Sequence, residues 1–268
     1  MRQVEFAKVE SLRNDFIVVT ATGRRSSWSS ARAAAICDRR IGPGADGVIL
    51  LGAETRQGVP FRLFNADGSQ AEWSGNGVRG AAALLVTGNP RRRHWCFLTG
   101  AGPVPVSVRR MGGLIVEASF RRPIPAVVEK ETVPSARERQ IKRRLVVEAG
   151  NPHWVFPVSG FDFPWEEFGV RCQTAREARP TRGVNVEFVR VLSRGRIELR
   201  IFERGVGPTP ASGSGALAAF AACRHLGVIH RDATVMSPGG VQGAATRDDR
   251  EVSLAANARV VCTGVWYE

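Results

Sequence analysis

Two short loops carry the residues best placed to do chemistry. Ser74-Gly75-Asn76-Gly77 and Ser212-Gly213-Ser214-Gly215 each set a hydroxyl and two glycines at the head of a small-residue run, and they lie about half the chain apart. A glycine-rich opening leaves the first backbone N–H groups of the following helix unpaired, at the positive end of its dipole. Such a loop holds a carboxylate or a phosphate. Two of them facing each other would grip one anion and put Ser74 and Ser212 on opposite sides of it. The plainer reading is that both serines are helix N-caps, a position serine favours; the duplication argues for a binding pair.

The segments around the loops extend the pattern. Before the first stands Phe64-Asn65-Ala66-Asp67-Gly68-Ser69, and before the second Glu203-Arg204-Gly205-Val206-Gly207. Further off are Phe6-Ala7-Lys8 with Asn14-Asp15-Phe16, Asp38-Arg39 with Gly42, and Gly44-Ala45-Asp46-Gly47. The second half adds Gly150-Asn151-Pro152-His153 and Arg182-Gly183-Val184-Asn185-Val186. In this order, nearly end to end, the motifs resemble the diaminopimelate epimerase family, whose relatives are the proline racemases and the phenazine-pathway isomerases.

The resemblance implies an α/β (α+β) fold of two pseudo-symmetric halves, each a curled β-sheet around a central helix, with substrate in the cleft between them. It implies that Asn14, Asn65, Asn151, Asn185 and Arg204 bind a small amino acid such as diaminopimelate. Gly75-Asn76 and Gly213-Ser214 would cradle the carboxylate at the reacting carbon, with His153 and Glu203 beside the two catalytic positions, Ser74 and Ser212. It further implies a homodimer and a place in lysine biosynthesis. The residue types suit such a ligand, because a substrate with ammonium and carboxylate at both ends needs a cationic fork, Arg204, and amides that donate and accept. Taken singly, each asparagine also reads as a turn residue, and His153 as a satisfied core histidine.

One departure bears on mechanism. The family inverts an α-carbon without a cofactor, one cysteine removing the proton and a second returning it on the opposite face. A thiol suits this because its pKa of about 8.5 falls at a helix N-terminus. Here both positions are serine, and an alcohol needs a neighbouring base to act. Three readings stay open: a natural relative that uses other acid–base groups, with Glu203, His153 and Asp46 as candidates; an epimerase whose cysteines were exchanged for serine; and a binding protein that has lost the reaction. Four histidines without clustered ligands give no metal site. Neither loop is a GxGxxG opening a βαβ unit, so no nucleotide cofactor is expected.

The elements that must position these residues are mostly short strands: Phe16 to Val19, Val48 to Leu51, Leu114 to Val116, Leu145 to Val147 and Ile197 to Ile201. Helices are expected at Ser30 to Asp38, Val78 to Val86, Ser135 to Arg144 and Ala216 to His225. The helices after the two loops are apolar on nearly every face, as a helix buried on all sides is. Pro123-Ile124-Pro125 marks a boundary, which gives halves of 1–122 with a returning strand in 258–268, and 123–257.

A chain of 268 residues with 43% hydrophobic and 24% charged residues can bury a substantial core. No stretch of 18 apolar residues and no apolar leader is present, and five cysteines without a CxxC pair suit a reducing compartment, so a cytoplasmic protein without membrane contact is expected. The net charge of +13 raises a nucleic-acid partner. Its basic clusters, such as Arg24-Arg25, Arg91-Arg92-Arg93 and Lys142-Arg143-Arg144, are scattered and lack a recognition motif, so a solvated basic surface is the expectation.

Overall fold

The computed structural model describes residues 3–20, 28–132, 141–181, 183–246 and 248–268. The chain falls into two compact units, 1–121 together with 255–268, and 122–254.

The first unit runs β1 (Gln3–Ser11), β2 (Asn14–Thr20), α1 (Ser30–Cys37), β3 (Gly47–Leu51), β4 (Val59–Asn65), β5 (Gln70–Ala71), α2 (Gly75–Gly88), β6 (His94–Thr99), β7 (Gly102–Gly112) and β8 (Ile115–Pro123). β2 with β3 and β4 with β6 are parallel, and α1 and α2 make those two crossovers. The other neighbours, β1 with β2, β3 with β4, β4 with β5 and β6 with β7, are antiparallel. Helix α2 packs on β1, β2 and β7 and buries Gly75 to Ala83 without a break, as its all-round alanine and glycine content requires. Gly80 sets how close it comes: an added Cβ would lie 2.5 Å from Val9 Cγ2. Helix α1 lies on β3 and β4, over a core of Ile17, Ala33, Ile36, Val48, Leu50 and Phe64.

The second unit runs β9 (Ala126–Thr132), β10 (Arg143–Glu148), β11 (Pro152–Pro157), α3 (Trp165–Thr174), a 3₁₀ turn (Arg176–Thr181), β12 (Asn185–Ser193), β13 (Arg196–Glu203), β14 (Gly207–Thr209), α4 (Gly213–His225), β15 (Asp232–Ser237), β16 (Gly240–Thr246) and β17 (Glu251–Tyr267). Its pairings repeat the first unit: β10 with β11, β12 with β13, β13 with β14 and β15 with β16 are antiparallel, while β11 with β12 and β13 with β15 are parallel. Helix α4 packs on β9 to β13 and on β15, and is buried from Ala216 through Cys223. A second layer, built on α3, closes over Phe156, Phe188 and Phe202. From Ala255 onward β17 belongs to the first unit, where it pairs antiparallel with β1, Gln3 opposite Tyr267 and Glu10 opposite Arg259. The fold is α+β, one topology used twice, with a sheet wrapped on a central helix each time.

Two expectations are corrected, and one helix was not expected. Of the helix read from Ser135 to Arg144, residues 135–140 lie outside the described residues, and Arg143 and Arg144 open strand β10 instead, paired with β9. Its alternation, with Leu145 and Val147 inward, decides the matter in favour of the strand. Leu114 is exposed in the β7–β8 turn, and the strand begins at Ile115. Helix α3 gave no sequence signal, because Pro164 caps it without a side-chain bond and Gly169 interrupts it. That glycine is required by packing: an added Cβ would lie 2.6 Å from the Phe202 ring. Among the described residues no helix is long and apolar enough to cross a membrane.

Candidate active site

The two loops share one backbone geometry. Ser74 precedes α2 at φ −142° and ψ 129°, and Ser212 precedes α4 at φ −133° and ψ 136°. Each hydroxyl oxygen accepts from the amide three residues on, Gly77 N at 3.1 Å and Gly215 N at 3.2 Å. Both serines are therefore N-caps, worth about 1 kcal/mol each. The amides of Gly75, Asn76, Gly213 and Ser214 have no acceptor within their own helices. Ser214 Oγ lies 3.3 Å from Ser212 Oγ.

In the first unit Asn14 opens β2, and Asn76 sits buried in the first turn of α2. Asn76 Nδ2 donates to Asn14 Oδ1 at 3.4 Å, and its own Oδ1 accepts from the wholly buried Arg79 at 3.0 Å. Asn14 Nδ2 donates to Asp46 Oδ2 at 2.7 Å. Asp46 also takes Arg39 at 2.8 Å and the Asp15 amide at 3.1 Å, which commits its oxygens to holding this corner rather than to acting as a base. Asp15 is bound by Arg39 at 2.7 Å and Lys8 at 3.0 Å. Burial alone would raise its carboxyl; the hydrogen bonds from Arg39 and Lys8 outweigh that and hold it at about 2. Asn65 ends β4 and turns its amide onto Ser69 Oγ at 3.0 Å, shaping the turn after the strand.

The second unit gathers the acid–base groups. His153 in β11 is fully buried, its Nδ1 2.8 Å from Glu187 Oε1 and its Nε2 2.8 Å from Asn151 Oδ1. Asn185, opposite His153 in the parallel register, accepts from the Arg204 amide at 3.0 Å and donates to Pro152 O at 3.4 Å. Gly183, at φ 101°, lies beneath the stem of Arg204, where an added Cβ would come within 3.2 Å of Cγ. Arg182, its neighbour in the sequence motif, lies outside the described residues. Glu203 ends β13; burial pushes its carboxyl up, a hydrogen bond from Ser212 works against that, and the charge of Glu187 adds to the rise.

Matching the registers places Asn14 where the second unit has Asn151, Phe16 where it has His153, Gly47 where it has Asn185 and Asn65 where it has Glu203. The scaffold is repeated and the chemistry is not. Two functional features escaped the sequence reading: the Lys8, Asp15 and Arg39 support of Asn14, and Glu187, whose signal was a lone carboxylate within the mostly apolar run Val184 to Val189. Trp154, next to His153 in β11, packs in the α3 layer beneath Arg144, since consecutive strand residues face opposite sides.

None of the thiols is placed to substitute for the serines. Cys223 lies deep in α4 and is pushed up to about 12 by burial, while Cys37 at the end of α1 is pushed up to about 11 by burial together with Asp15 and Asp46. Cys96, Cys172 and Cys262 lie in β6, α3 and β17. Among the described residues no three His, Cys, Asp or Glu side chains come together as a metal site would need.

Comparison with known proteins gives this arrangement its context. Solved structures of similar fold include a phenazine biosynthesis protein of the PhzF family from Bacillus anthracis, at 12% identity and a TM-score of 0.75 over 100% of both chains. A hydroxyproline epimerase from Agrobacterium vitis, with bound trans-4-hydroxy-L-proline, matches with a TM-score of 0.67 and 15% identity over 99% of this chain and 91% of that one. By sequence the chain is 36% identical to the diaminopimelate epimerase of Carboxydothermus hydrogenoformans, over 98% of this chain and 100% of the relative. It is 38% identical to that of Halorhodospira halophila, over 89% and 86%. The family model for diaminopimelate epimerase matches residues 6–119 and 145–261, which takes in both capped loops and every asparagine named above, and the chain belongs to the diaminopimelate epimerase family.

Proposed function

We propose that this chain is a cofactor-independent amino-acid isomerase that moves a proton at the α-carbon of diaminopimelate or a related amino acid. The observation that carries the reading is Glu203: a carboxyl raised by burial, hydrogen-bonded to Ser212 at the N-terminus of α4. A general base works best with a pKa drawn toward the working pH, and a carboxyl so placed supplies what a serine alone lacks. In this scheme the free amides of Gly75, Asn76, Gly213 and Ser214 hold the substrate carboxylate and stabilise the charge that develops as the α-proton leaves. Asn14, Asn65, Asn76, Asn151, Asn185 and Arg204 read the rest of the substrate. Glu203, through or beside Ser212, serves as one proton carrier, and His153 is the second. The same reading takes the protein as a cytoplasmic homodimer; its five free cysteines agree with a reducing compartment.

The test is α-proton exchange in deuterated water, followed by NMR over a panel of amino acids that begins with diaminopimelate. Exchange is expected in the wild type and a fall of about 10²- to 10⁴-fold in Glu203→Gln. No exchange with any member of the panel overturns the isomerase reading. A second reading, an amino-acid-binding homologue without turnover, is favoured by one observation: both serine hydroxyl oxygens are already engaged as helix caps. It expects ligand-dependent thermal stabilisation with no product.

A further inference from the structure

Glu187 is the least expected side chain of the second unit. It sits in the middle of the buried segment Val184 to Val189, facing α4, with its side chain fully buried. Burying a carboxylate is costly unless it is partnered. Its Oε1 has one partner, His153 Nδ1 at 2.8 Å, while Oε2 has no hydrogen bond at all among the described residues. The first turn of α4 leaves room for it: an added Cβ at Gly215 would lie 2.8 Å from Glu187 Oε1. Gly215 does not carry a positive φ, so its small size serves the carboxylate rather than the backbone. The N-terminal end of α4 in turn favours a negative charge beside it.

The geometry points to Glu187 as the positioning residue that fixes the proton of His153 on Nδ1 and so makes Nε2, the nitrogen facing Asn151, the one that gains and loses a proton. An ionised carboxylate only accepts, so the ring nitrogen beside it must carry hydrogen. Asn151 imposes no such rule. Its amide presents oxygen or nitrogen after a half-turn, and so suits Nε2 with or without its proton. Glu187 is also close enough to push Glu203 up, so one buried charge acts on both proton carriers of this unit. The inference rests on the isomerase reading for its catalytic meaning, but the ring state can be observed without turnover.

The protein carries four histidines, so ¹⁵N-histidine labelling gives few ring signals, and the His153 pair is assigned by its loss in His153→Asn. In the wild type a proton is expected on Nδ1. In Glu187→Gln, which keeps the shape and removes the charge, a mixture of ring states is expected. The kcat for α-proton exchange should fall at least about 10-fold, with KM held within about 3-fold. A bare Nδ1 in the wild type overturns the inference, and so does a Glu187→Gln protein with the wild-type ring state and rate. Should Glu187→Gln fail to fold, the wild-type spectrum alone decides. Absence of exchange in the wild type with the whole panel would defeat the isomerase reading, while the ring spectra still decide the role of Glu187.

Discussion

Two carboxyls of this protein are displaced in opposite directions, and each leaves a mark on stability. Asp15, held at about 2 by Arg39 and Lys8 against an ordinary 3.8, binds protons less readily folded than unfolded. Its contribution is therefore present above about pH 4 and is lost as pH falls toward 2, amounting to about 2 kcal/mol before solvent trims it, since Arg39 is 56% exposed. Asp15→Asn should flatten the stability curve between pH 4 and pH 2, measured by urea unfolding at each pH; an unchanged acid limb would show that the Lys8, Asp15 and Arg39 group does not hold this corner. Glu203 carries the reverse sign. Its raised carboxyl favours the protonated form in the fold, so ionising it weakens the fold as pH rises past the ordinary carboxyl range. The same Glu203→Gln protein that loses proton exchange should thus melt higher than wild type at neutral pH. Loss of activity with gain of stability distinguishes a functional carboxyl from a structural one.

At the scale of elements, the β1–β2 hairpin shows where positioning is strained. Its two turn residues, Leu12 and Arg13, have φ of 57° and 64°, a left-handed conformation that side chains other than glycine and asparagine resist. The turn sets Asn14 directly after it. Leu12 is buried, whereas Arg13 is exposed and engages Glu10 through its backbone amide at 2.7 Å, a bond that glycine keeps. Arg13→Gly is expected to stabilise the protein by about 1 kcal/mol, read as a shift in urea midpoint; a lower midpoint would show that the arginine side chain outweighs the strain. How legible such elements were depended on how local their causes are. The helices after Ser74 and Ser212 were readable because cap, glycines and alanines lie side by side in the chain. Helix α3 was not, because its start is a proline without a side-chain bond and its Gly169 answers to Phe202, a residue in a distant strand. The strand at Arg143 was read as helix because its basic run hid an alternation that β9 and β11 enforce. Within the site, the asparagines and Glu203 could be named from motifs. Glu187 could not, since its meaning comes from His153 in the neighbouring strand.

For the molecule as a whole, the duplication sets both the architecture and its limit. Each unit offers a capped helix with free amides, but only the second adds His153, Glu187 and Glu203; the first has Phe16 and Asn65 at the matching places. The net charge of +13 is spread over both units, and many arginines already sit in ion pairs such as Arg92 with Glu54 and Arg190 with Glu198, which agrees with a solvated surface rather than a nucleic-acid track. Inverting an α-carbon needs a proton carrier on each face, and the two carriers proposed here, the Glu203 carboxyl and the His153 imidazole, differ in chemistry. A thiol at both caps would even out that difference, since each cap lies at a helix N-terminus that lowers a thiol pKa. Ser74→Cys with Ser212→Cys is therefore expected to raise α-proton exchange of diaminopimelate well above the wild type. Either single change should yield only a small part of that gain, because one improved face leaves the other limiting. The rates of all four proteins, measured side by side, test this. Equal gains from one change and from two would mean that a single face limits the reaction. A doubly substituted protein that binds diaminopimelate without exchanging its proton would place the divergence of this chain in the substrate-holding residues rather than in the two oxygen atoms at the caps.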